Sequence, residues 1–242
     1  MATVAIITAR GGSKRIPRKN VRPFRGVPIL RYPIQAALES ECFDEVMVST
    51  DDAEIAAVAR EAGAVVPFMR SAQTSDDSAR TPDVLVEVLS EYERRGKLFQ
   101  FACCIYPTAV LLTADLLRES FRLLAANPEL DGVVPVARFA HPIQRAVAIV
   151  NKRLTMFHPQ NVNTRSQDLT PAYHDVGQFY WLRVAAFMKT QQLLTENTTP
   201  LVVPNWMVQD IDTEEDWALA EIKFDVLREL RLRNPALARF PR

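Results

Sequence analysis

Val4-Ala5-Ile6-Ile7-Thr8 runs directly into Ala9-Arg10-Gly11-Gly12-Ser13-Lys14-Arg15-Ile16-Pro17-Arg18-Lys19-Asn20. The first stretch is a short apolar run of the kind that forms a buried strand. The second can continue as neither strand nor helix. Gly11 and Gly12 permit positive φ and close backbone approach, and Pro17 removes a donor and fixes φ. Arg10, Lys14, Arg15, Arg18 and Lys19 then share one tight loop. Positive charge crowded in this way repels itself unless an anion neutralises it. Glycine-rich backbone offering N–H groups beside fixed cations suits a polyphosphate. The spacing matches neither the P-loop nor the G-x-G-x-x-G dinucleotide loop. Two readings therefore stand: a triphosphate loop of another kind, which the residue types favour, and a solvated basic surface loop.

Outward from this loop, apolar runs alternate with helical patterns. Val4–Thr8, Glu45–Ser49, Ala64–Pro67, Phe101–Ile105 and Gly132–Val136 read as short buried strands. Helices are expected at Pro33–Ser40, Ala53–Ala62, Pro82–Arg95 and Ala114–Ala126. Thr81 before Pro82 reads as an N-cap with proline at the first helical position. Asp52 reads as the cap of the helix that Gly63 ends. Strand–helix alternation predicts βαβ units and a mostly parallel sheet. Ligands bind such sheets beyond the carboxyl ends of the strands, where the basic loop lies.

The texture changes after Pro135. Residues 138–175 are rich in polar residues and proline, with a strand candidate at Val147–Val150. They read as an excursion from the sheet, serving as a lid, a dimerisation arm or both. Gln178–Leu182 and Leu201–Val203 read as further strands, and Thr213–Arg233 as a long closing helix. Thr213 and Asp216 imitate a capping box. Trp217, Ala220, Phe224, Leu227 and Leu230 give that helix an apolar face. No linker is strong enough to split residues 1–242 into more than a single domain.

The bulk numbers narrow the function. Across 242 residues, 29 Lys and Arg balance 29 Asp and Glu. A neutral chain argues against a general nucleic-acid partner, so the local basic cluster reads as a site rather than a field. The 3 cysteines, Cys42, Cys103 and Cys104, make no metal spacing, and their number is odd. That suits a reducing, cytoplasmic setting without structural disulfides. No signal-peptide pattern and no run long enough to span a bilayer is expected.

Asp210-Ile211-Asp212 directs two carboxylates to the same side of an extended segment. A hard divalent cation bridging to phosphate oxygens relieves their repulsion. Alternatively, Asp212 caps the next helix and Asp210 is solvated. Ser49-Thr50-Asp51-Asp52 is either a site rim or a helix cap, with the cap favoured. The polar loop Arg70–Arg80 is either a nucleotide contact or a solvated connection. His174 beside Asp175 fits acid–base chemistry or hydrogen bonding to a polyhydroxy ligand. Phe179, Tyr180 and Trp181 read as strand packing. Nothing indicates covalent catalysis. A cation-rich loop with a metal-binding pair fits phosphoryl or nucleotidyl transfer, in which the protein positions groups and neutralises charge.

The stretch Ala9–Asn20 resembles the N-terminal A-R-x-x-S-K-x-x-P-x-K-N signature of the CMP–sialic acid synthetases, the sugar-acid cytidylyltransferases. Ser49-Thr50-Asp51, Pro107-Thr108 and Asp210-Ile211-Asp212-Thr213 resemble further motifs of that family in the same order. Three stretches resemble its pseudaminic acid branch: His141–Ala146, Arg165–Leu169, and Tyr173–Asp175 continuing through Gly177–Trp181. Tyr106 stands where the sialic acid branch usually has Gln, and this departure agrees with the pseudaminic acid branch.

The resemblance implies a Rossmann-like nucleotidyltransferase fold, a mostly parallel or mixed sheet with helices on both faces, and the excursion as a dimerisation arm. It implies that CTP and a nine-carbon 2-keto sugar acid give a CMP-sugar and pyrophosphate, in glycan biosynthesis such as flagellin glycosylation. Legionaminic, N-acetylneuraminic and 3-deoxy-octulosonic acids are alternative substrates. A non-catalytic nucleotide-binding protein is the remote alternative. By the same resemblance Arg10, Lys19 and Asp212 are catalytic. Ala9, Arg10, Gly11, Gly12, Ser13, Lys14, Lys19, Asn20, Arg70 and Ser75 bind the nucleotide. Asp210 and Asp212 hold Mg²⁺. Tyr106, Gln144, Arg165, Gln167, His174, Asp175 and Gln178 contact the sugar acid. A homodimer is implied, with some of these residues serving the neighbouring site.

Overall fold

The computed structural model describes residues 1–233. Strand β1 (Thr3–Thr8) is followed by the small hairpin β2 (Pro23–Phe24) and β3 (Val27–Pro28), then α1 (Arg31–Ser40), β4 (Glu45–Ser49), α2 (Ala53–Glu61), the single turn α3 (Ala72–Ser75) and α4 (Thr81–Arg94). Next come β5 (Phe101–Ile105), α5 (Ala114–Ala126) and β6 (Gly132–Arg138). The excursion carries the hairpin β7 (Val147–Val150) and β8 (Arg153–Met156) and returns through β9 (Tyr173–Asp175). The chain closes with β10 (Phe179–Arg183), α6 (Val184–Thr190), β11 (Thr198–Val202) and α7 (Glu214–Arg233).

The main sheet runs β11-β6-β10-β5-β1-β4, with β9 also on β6. β1 is parallel to β4 and β5, pairing Ile6 with both Met47 and Cys104. β10 is antiparallel to β5 and β6, β9 is antiparallel to β6, and β11 is parallel to β6. The sheet is therefore mixed, with helices on both faces. Val4, Ala5, Ile6 and Ile7 are all fully buried. Ala5 and Ile7 join a core with Leu30, Ile34, Ile55, Ala59, Leu116 and Leu117, while Val4 and Ile6 join Val84, Leu85, Val88 and Phe187 on the other face. A strand covered on both faces needs an unbroken apolar run, and β1 has one.

Local chemistry fixes several boundaries. Ile55 N donates to Asp52 Oδ1 at 3.0 Å, and Leu116 N donates to Thr113 Oγ1 at 3.1 Å, so each helix start has its cap. At the start of α7, Thr213 N donates to Asp216 Oδ2 at 2.8 Å and Asp216 N donates to Thr213 Oγ1 at 3.2 Å, which completes the expected capping box.

Two local expectations are corrected. Ala64–Pro67 forms no strand, only the isolated bridge Met47–Val65 along the edge of β4. Pro67 has no N–H with which to extend the ladder. Thr81 lies inside α4 rather than capping it, and Arg80 takes the cap position. Asp83 Oδ2 accepts from Arg80 N at 3.0 Å, while the Thr81 hydroxyl meets the Tyr106 hydroxyl at 3.1 Å.

A third, smaller core positions the site. Ile16, Phe24, Ile29, Val110, Leu111 and Ile211 pack with Trp217, Ala220 and Leu227 of α7. Ile16 sits in the middle of the basic loop, and Ile211 lies between the two aspartates. Both are fully buried. At about 1.5–3 kcal/mol for each such side chain, they pin the loop and the Asp pair to the same apolar platform.

Candidate active site

The carboxyl ends of β1 and β5 open on a cavity of about 570 Å³. Arg10, Ser13, Lys14, Arg15, Lys19 and Asn20 line it from the basic loop, Arg70, Thr74, Asp76 and Asp77 from the segment before α4, and Tyr106, Pro107 and Thr108 from the end of β5. Asp210 and Asp212 close the far side. Ile211 is buried between them, so the extended segment does direct both carboxylates into one space.

Internal carboxylates neutralise the loop's cations. Arg10 Nη1 donates to Asp77 Oδ1 at 2.8 Å and to the Asp76 carbonyl at 2.9 Å, and Lys14 pairs with the other oxygen of Asp77. Arg15 meets Asp212 Oδ2 at 2.6 Å. Lys19 Nζ donates to the Ile211 carbonyl at 2.5 Å and lies 3.4 Å from Asp212 Oδ1. Arg18 departs from the cluster. It adopts the left-handed region at φ 54° and turns to the start of α2, pairing with Asp52 at 2.5 Å and with Glu54. Its hydrogen bonds are the foremost cause holding the Asp52 carboxyl down at about 2.

Arg70 is the buried cation of the site. Its Nε donates to Ser49 Oγ at 3.0 Å and its Nη2 to the Ser49 carbonyl at 2.6 Å, while Nη1 makes no hydrogen bond among the described residues. Burial lowers its pKa from the ordinary arginine value to about 10, so it stays charged at neutral pH in a poorly solvated place. Asn20 is also buried. Its Nδ2 donates to the Arg10 carbonyl at 2.8 Å, and its Oδ1 has no partner. Asp210 opens on the cavity, yet protein packed around its carboxyl, and then the charge of Asp212, push its pKa above the ordinary value.

Other expected residues act from behind or lie elsewhere. Ala9 is fully buried, its N–H bonded to the Ser49 carbonyl at 3.0 Å. Gly11 N donates to Asp51 Oδ1 at 2.8 Å, and a Cβ there would lie 2.9 Å from Asp52 Oδ2 and 3.0 Å from Asp52 Cβ, so any larger residue would displace the Asp52 side chain. Gly12 faces open space. Ser75 spends its hydroxyl on the Ser71 carbonyl at 2.7 Å and does not line the cavity, whereas its neighbours Thr74 and Asp76 do.

A second cavity of about 560 Å³ adjoins the first, and both are lined by Tyr106 and Asp210. His174, Asp175, Gly177 and Tyr180 line it together with Val176, Val208 and Gln209. Asp175 is held from two sides. Gly177 N donates to Oδ1 at 2.8 Å, and the Tyr180 hydroxyl donates to Oδ2. His174 Nδ1 faces the Asp175 carbonyl at 2.9 Å rather than a carboxylate, so the adjacent pair is no proton relay. Gln178 is buried below this wall, its Nε2 donating to the Met207 carbonyl at 2.6 Å.

Gln144, Arg165 and Gln167 are not brought to either cavity within the chain. They lie in the excursion, where Gln167 lines a separate recess and Gln144 Nε2 donates to the Thr170 carbonyl at 2.9 Å. Sequence reasoning missed Tyr180, reading it as strand packing. The available signal was a hydroxyl in an otherwise apolar strand, which needs a partner when buried. It also gave Asp77 no role of its own within the Arg70–Arg80 loop, and read Thr81 only as a helix cap.

Among the described residues, no group of three or more His, Cys, Asp or Glu is placed to hold a metal ion. The pair Asp210 and Asp212 would need phosphate oxygens to complete a cation's shell. Its electrostatics fit one: two neighbouring carboxylates, one of them with a raised pKa, favour a hard cation between them.

A parallel-strand edge carrying fixed cations, a buried arginine and a carboxylate pair defines a nucleotide-binding α/β protein built for phosphate chemistry. The cytidylyltransferase family model matches residues 4–200. The chain belongs to the cytidylyltransferase family. A pseudaminic acid cytidylyltransferase of Campylobacter jejuni is 39% identical over 95% of this chain and 99% of its own length. A Legionella pneumophila CMP-N,N'-diacetyllegionaminic acid synthase is 28% identical over 95% of this chain and 99% of its own. Among solved structures, a CMP:2-keto-3-deoxy-manno-octonic acid synthetase complexed with CTP superposes with TM-score 0.68 at 18% identity, covering 95% of this chain and 100% of that one. This last likeness supports the expected fold.

Proposed function

We propose that the protein transfers the cytidylyl group of CTP to pseudaminic acid, giving CMP-pseudaminic acid and pyrophosphate. The observation that carries the reading is the pair of cavities sharing Tyr106 and Asp210, one lined with cations and the other with hydrogen-bonding groups. The triphosphate suits the first, against Arg10, Lys14, Lys19 and Arg70. Asn20 Oδ1 waits there for a donor from the nucleotide. The sugar acid suits the second, where Asp175 can accept from a hydroxyl or amide N–H and His174 can share a hydroxyl.

The anomeric 2-hydroxyl then attacks the α-phosphorus in line. Its oxygen forms the new P–O bond as the bond to the bridging α–β oxygen breaks, its proton departs, and pyrophosphate leaves. Lys19, beside Asp212, faces the negative charge that builds at the reacting phosphate. Asp210 and Asp212 would hold Mg²⁺, which when bound polarises the α-phosphate and orients the attacking hydroxyl.

The choice of sugar follows the Campylobacter relatives and the stretches His141–Ala146 and Arg165–Leu169. The Legionella relative supports legionaminic acid as the second reading. A cytoplasmic, single-domain homodimer completes the reading. The excursion's hairpin exposes Ile149, Leu154 and Phe157 at 77%, 73% and 65%, an apolar arm suited to a second copy. Gln144, Arg165 and Gln167 would then serve the partner's sugar site. No described helix is long and apolar enough to cross a membrane.

The test is pyrophosphate release with CTP and Mg²⁺ across pseudaminic, legionaminic, N-acetylneuraminic and 3-deoxy-octulosonic acids. Turnover confined to pseudaminic acid is expected. Turnover with another acid alone overturns the sugar assignment, and CTP binding without any turnover overturns the reaction.

A further inference from the structure

The triphosphate cations are occupied before any ligand arrives. Asp77 Oδ1 accepts from Arg10 Nη1 at 2.8 Å, and Oδ2 pairs with Lys14. The turn that presents Asp77 is built for the purpose. Asp76 Oδ1 accepts from Ser78 N, Ser78 Oγ and Ala79 N, each at 2.8 Å, and the Asp76 carbonyl accepts from Arg10 at 2.9 Å. This turn is tethered by α3 on one side and α4 on the other, so its carboxylate stands at high effective concentration over the two cations. All three side chains reach solvent: Arg10 is 35% exposed, Lys14 79% and Asp77 50%. Ion pairs this open are weak enough to exchange.

We infer that Asp77 is an internal stand-in for the terminal phosphates, exchanged for them when the nucleotide binds and restored to Arg10 and Lys14 as pyrophosphate leaves. A doubly charged phosphate outcompetes one carboxylate for the same two cations, so binding proceeds, at reduced affinity. The reduction falls on every ligand that uses this cation pair. It therefore falls on pyrophosphate as well as CTP and lowers the affinity of the leaving product. A ligand without β- and γ-phosphates, such as CMP, leaves the pair intact and is indifferent to it. The inference rests on the proposed assignment of Arg10 and Lys14 to the terminal phosphates.

The test is calorimetric binding of CTP, inorganic pyrophosphate and CMP to the full chain and to Asp77→Asn and Asp77→Ala. Arg10→Gln serves as the control. Tightening of CTP and pyrophosphate by about three- to tenfold is expected for both Asp77 variants, the range for loss of weak surface pairs. CMP affinity should not change, and product inhibition by pyrophosphate should strengthen by the same factor. Unchanged or weaker pyrophosphate binding overturns the inference, because Asp77 would then be holding the cations in place. An equal shift for CMP overturns it too. If Arg10→Gln does not weaken pyrophosphate, the phosphate assignment itself fails. If it does weaken pyrophosphate while Asp77→Asn changes nothing, only the stand-in role fails.

Discussion

Replacing Arg70 with methionine separates a functional cation from a structural one. Arg70 is 8% exposed, and burial lowers its pKa from the ordinary arginine value to about 10. For a base, a folded-state pKa below the unfolded value means that folding is disfavoured by this group. The penalty is complete below about pH 10 and vanishes only above the ordinary pKa of arginine. At about 1.4 kcal/mol per unit, the difference amounts to ~3 kcal/mol at neutral pH. Against this stand the hydrogen bonds to Ser49, of which charged ones contribute ~1.5–3 kcal/mol each. The Ser49 carbonyl keeps its bond from Ala9 N at 3.0 Å in the variant, so less than the full value of that bond is lost. Methionine fills a similar volume with a flexible apolar chain. The opposing effects cancel to within about 1 kcal/mol, a shift in melting temperature of about 2–4 °C either way for a chain of this size. CTP affinity, by contrast, should fall by about 10- to 100-fold with loss of a charged contact to phosphate. Thermal melts of the free protein and calorimetric CTP titrations read the two effects separately. A variant that melts 10 °C lower yet binds CTP normally would refute the reasoning, because Arg70 would then be holding β4 rather than awaiting an anion.

Asp212→Ala should abolish pyrophosphate release by about a thousandfold or more while leaving the far-ultraviolet spectrum unchanged, because the side chain lies outside the core; full activity would remove it from the proposed metal pair. Asp52 has a folded pKa of about 2 against an ordinary 3.8, so its contribution is present above pH 4 and is lost as pH falls through 2. Asp52→Asn should therefore lower stability by about 1–2 kcal/mol at pH 7 and flatten the acid limb of the stability curve between pH 4 and 2, as read by urea titrations at each pH. Leu154→Lys in the exposed hairpin should shift the sedimentation coefficient toward a monomer, and activity should fall with it if the arm completes the partner's site. Tyr180→Phe removes one hydroxyl behind Asp175 and should raise the KM for the sugar acid by about tenfold, with the KM for CTP unchanged.

Most of the fold was legible because the strands are buried on both faces and the helix caps are local. Glu45–Ser49, Phe101–Ile105 and Ala114–Ala126 appear with their expected bounds. The Ala64–Pro67 run failed because an apolar stretch ending in proline cannot be told from an edge segment without knowing its neighbour. The first cavity was legible for a related reason. Arg10–Asn20 and Asp210–Asp212 are contiguous stretches whose side chains cannot diverge far. The sugar side was less so, because its residues are spread over a long excursion whose path depends on tertiary pairing. His174 and Asp175 reach the second cavity through β9, but Gln178 turns inward from the bend before β10, and Gln144, Arg165 and Gln167 stay with the arm. The destination of Arg18 was hidden by sequence distance, since its partners Asp52 and Glu54 come from the next βα unit.

The choice between a triphosphate loop and a solvated basic loop can be argued from what the cavity leaves unsatisfied. A solvated loop has no reason to bury a cation, yet Arg70 is held where its charge is disfavoured. It has no reason to strand an acceptor, yet Asn20 Oδ1 is buried without a partner. Nor would it pack protein around one of two neighbouring carboxylates, so that burial first and the charge of Asp212 second raise the pKa of Asp210. Each of these destabilises the empty protein, and Arg70, Asn20 and Asp210 all line the same cavity. Their remedies differ in sign: an anion for Arg70, a hydrogen-bond donor for Asn20, a cation for Asp210. A nucleoside triphosphate with its divalent metal supplies all of them at once, and neither phosphate nor metal alone does. Unfavourable features that converge on one composite ligand are difficult to explain as separate accidents of packing, because random defects would not share both a location and a common cure.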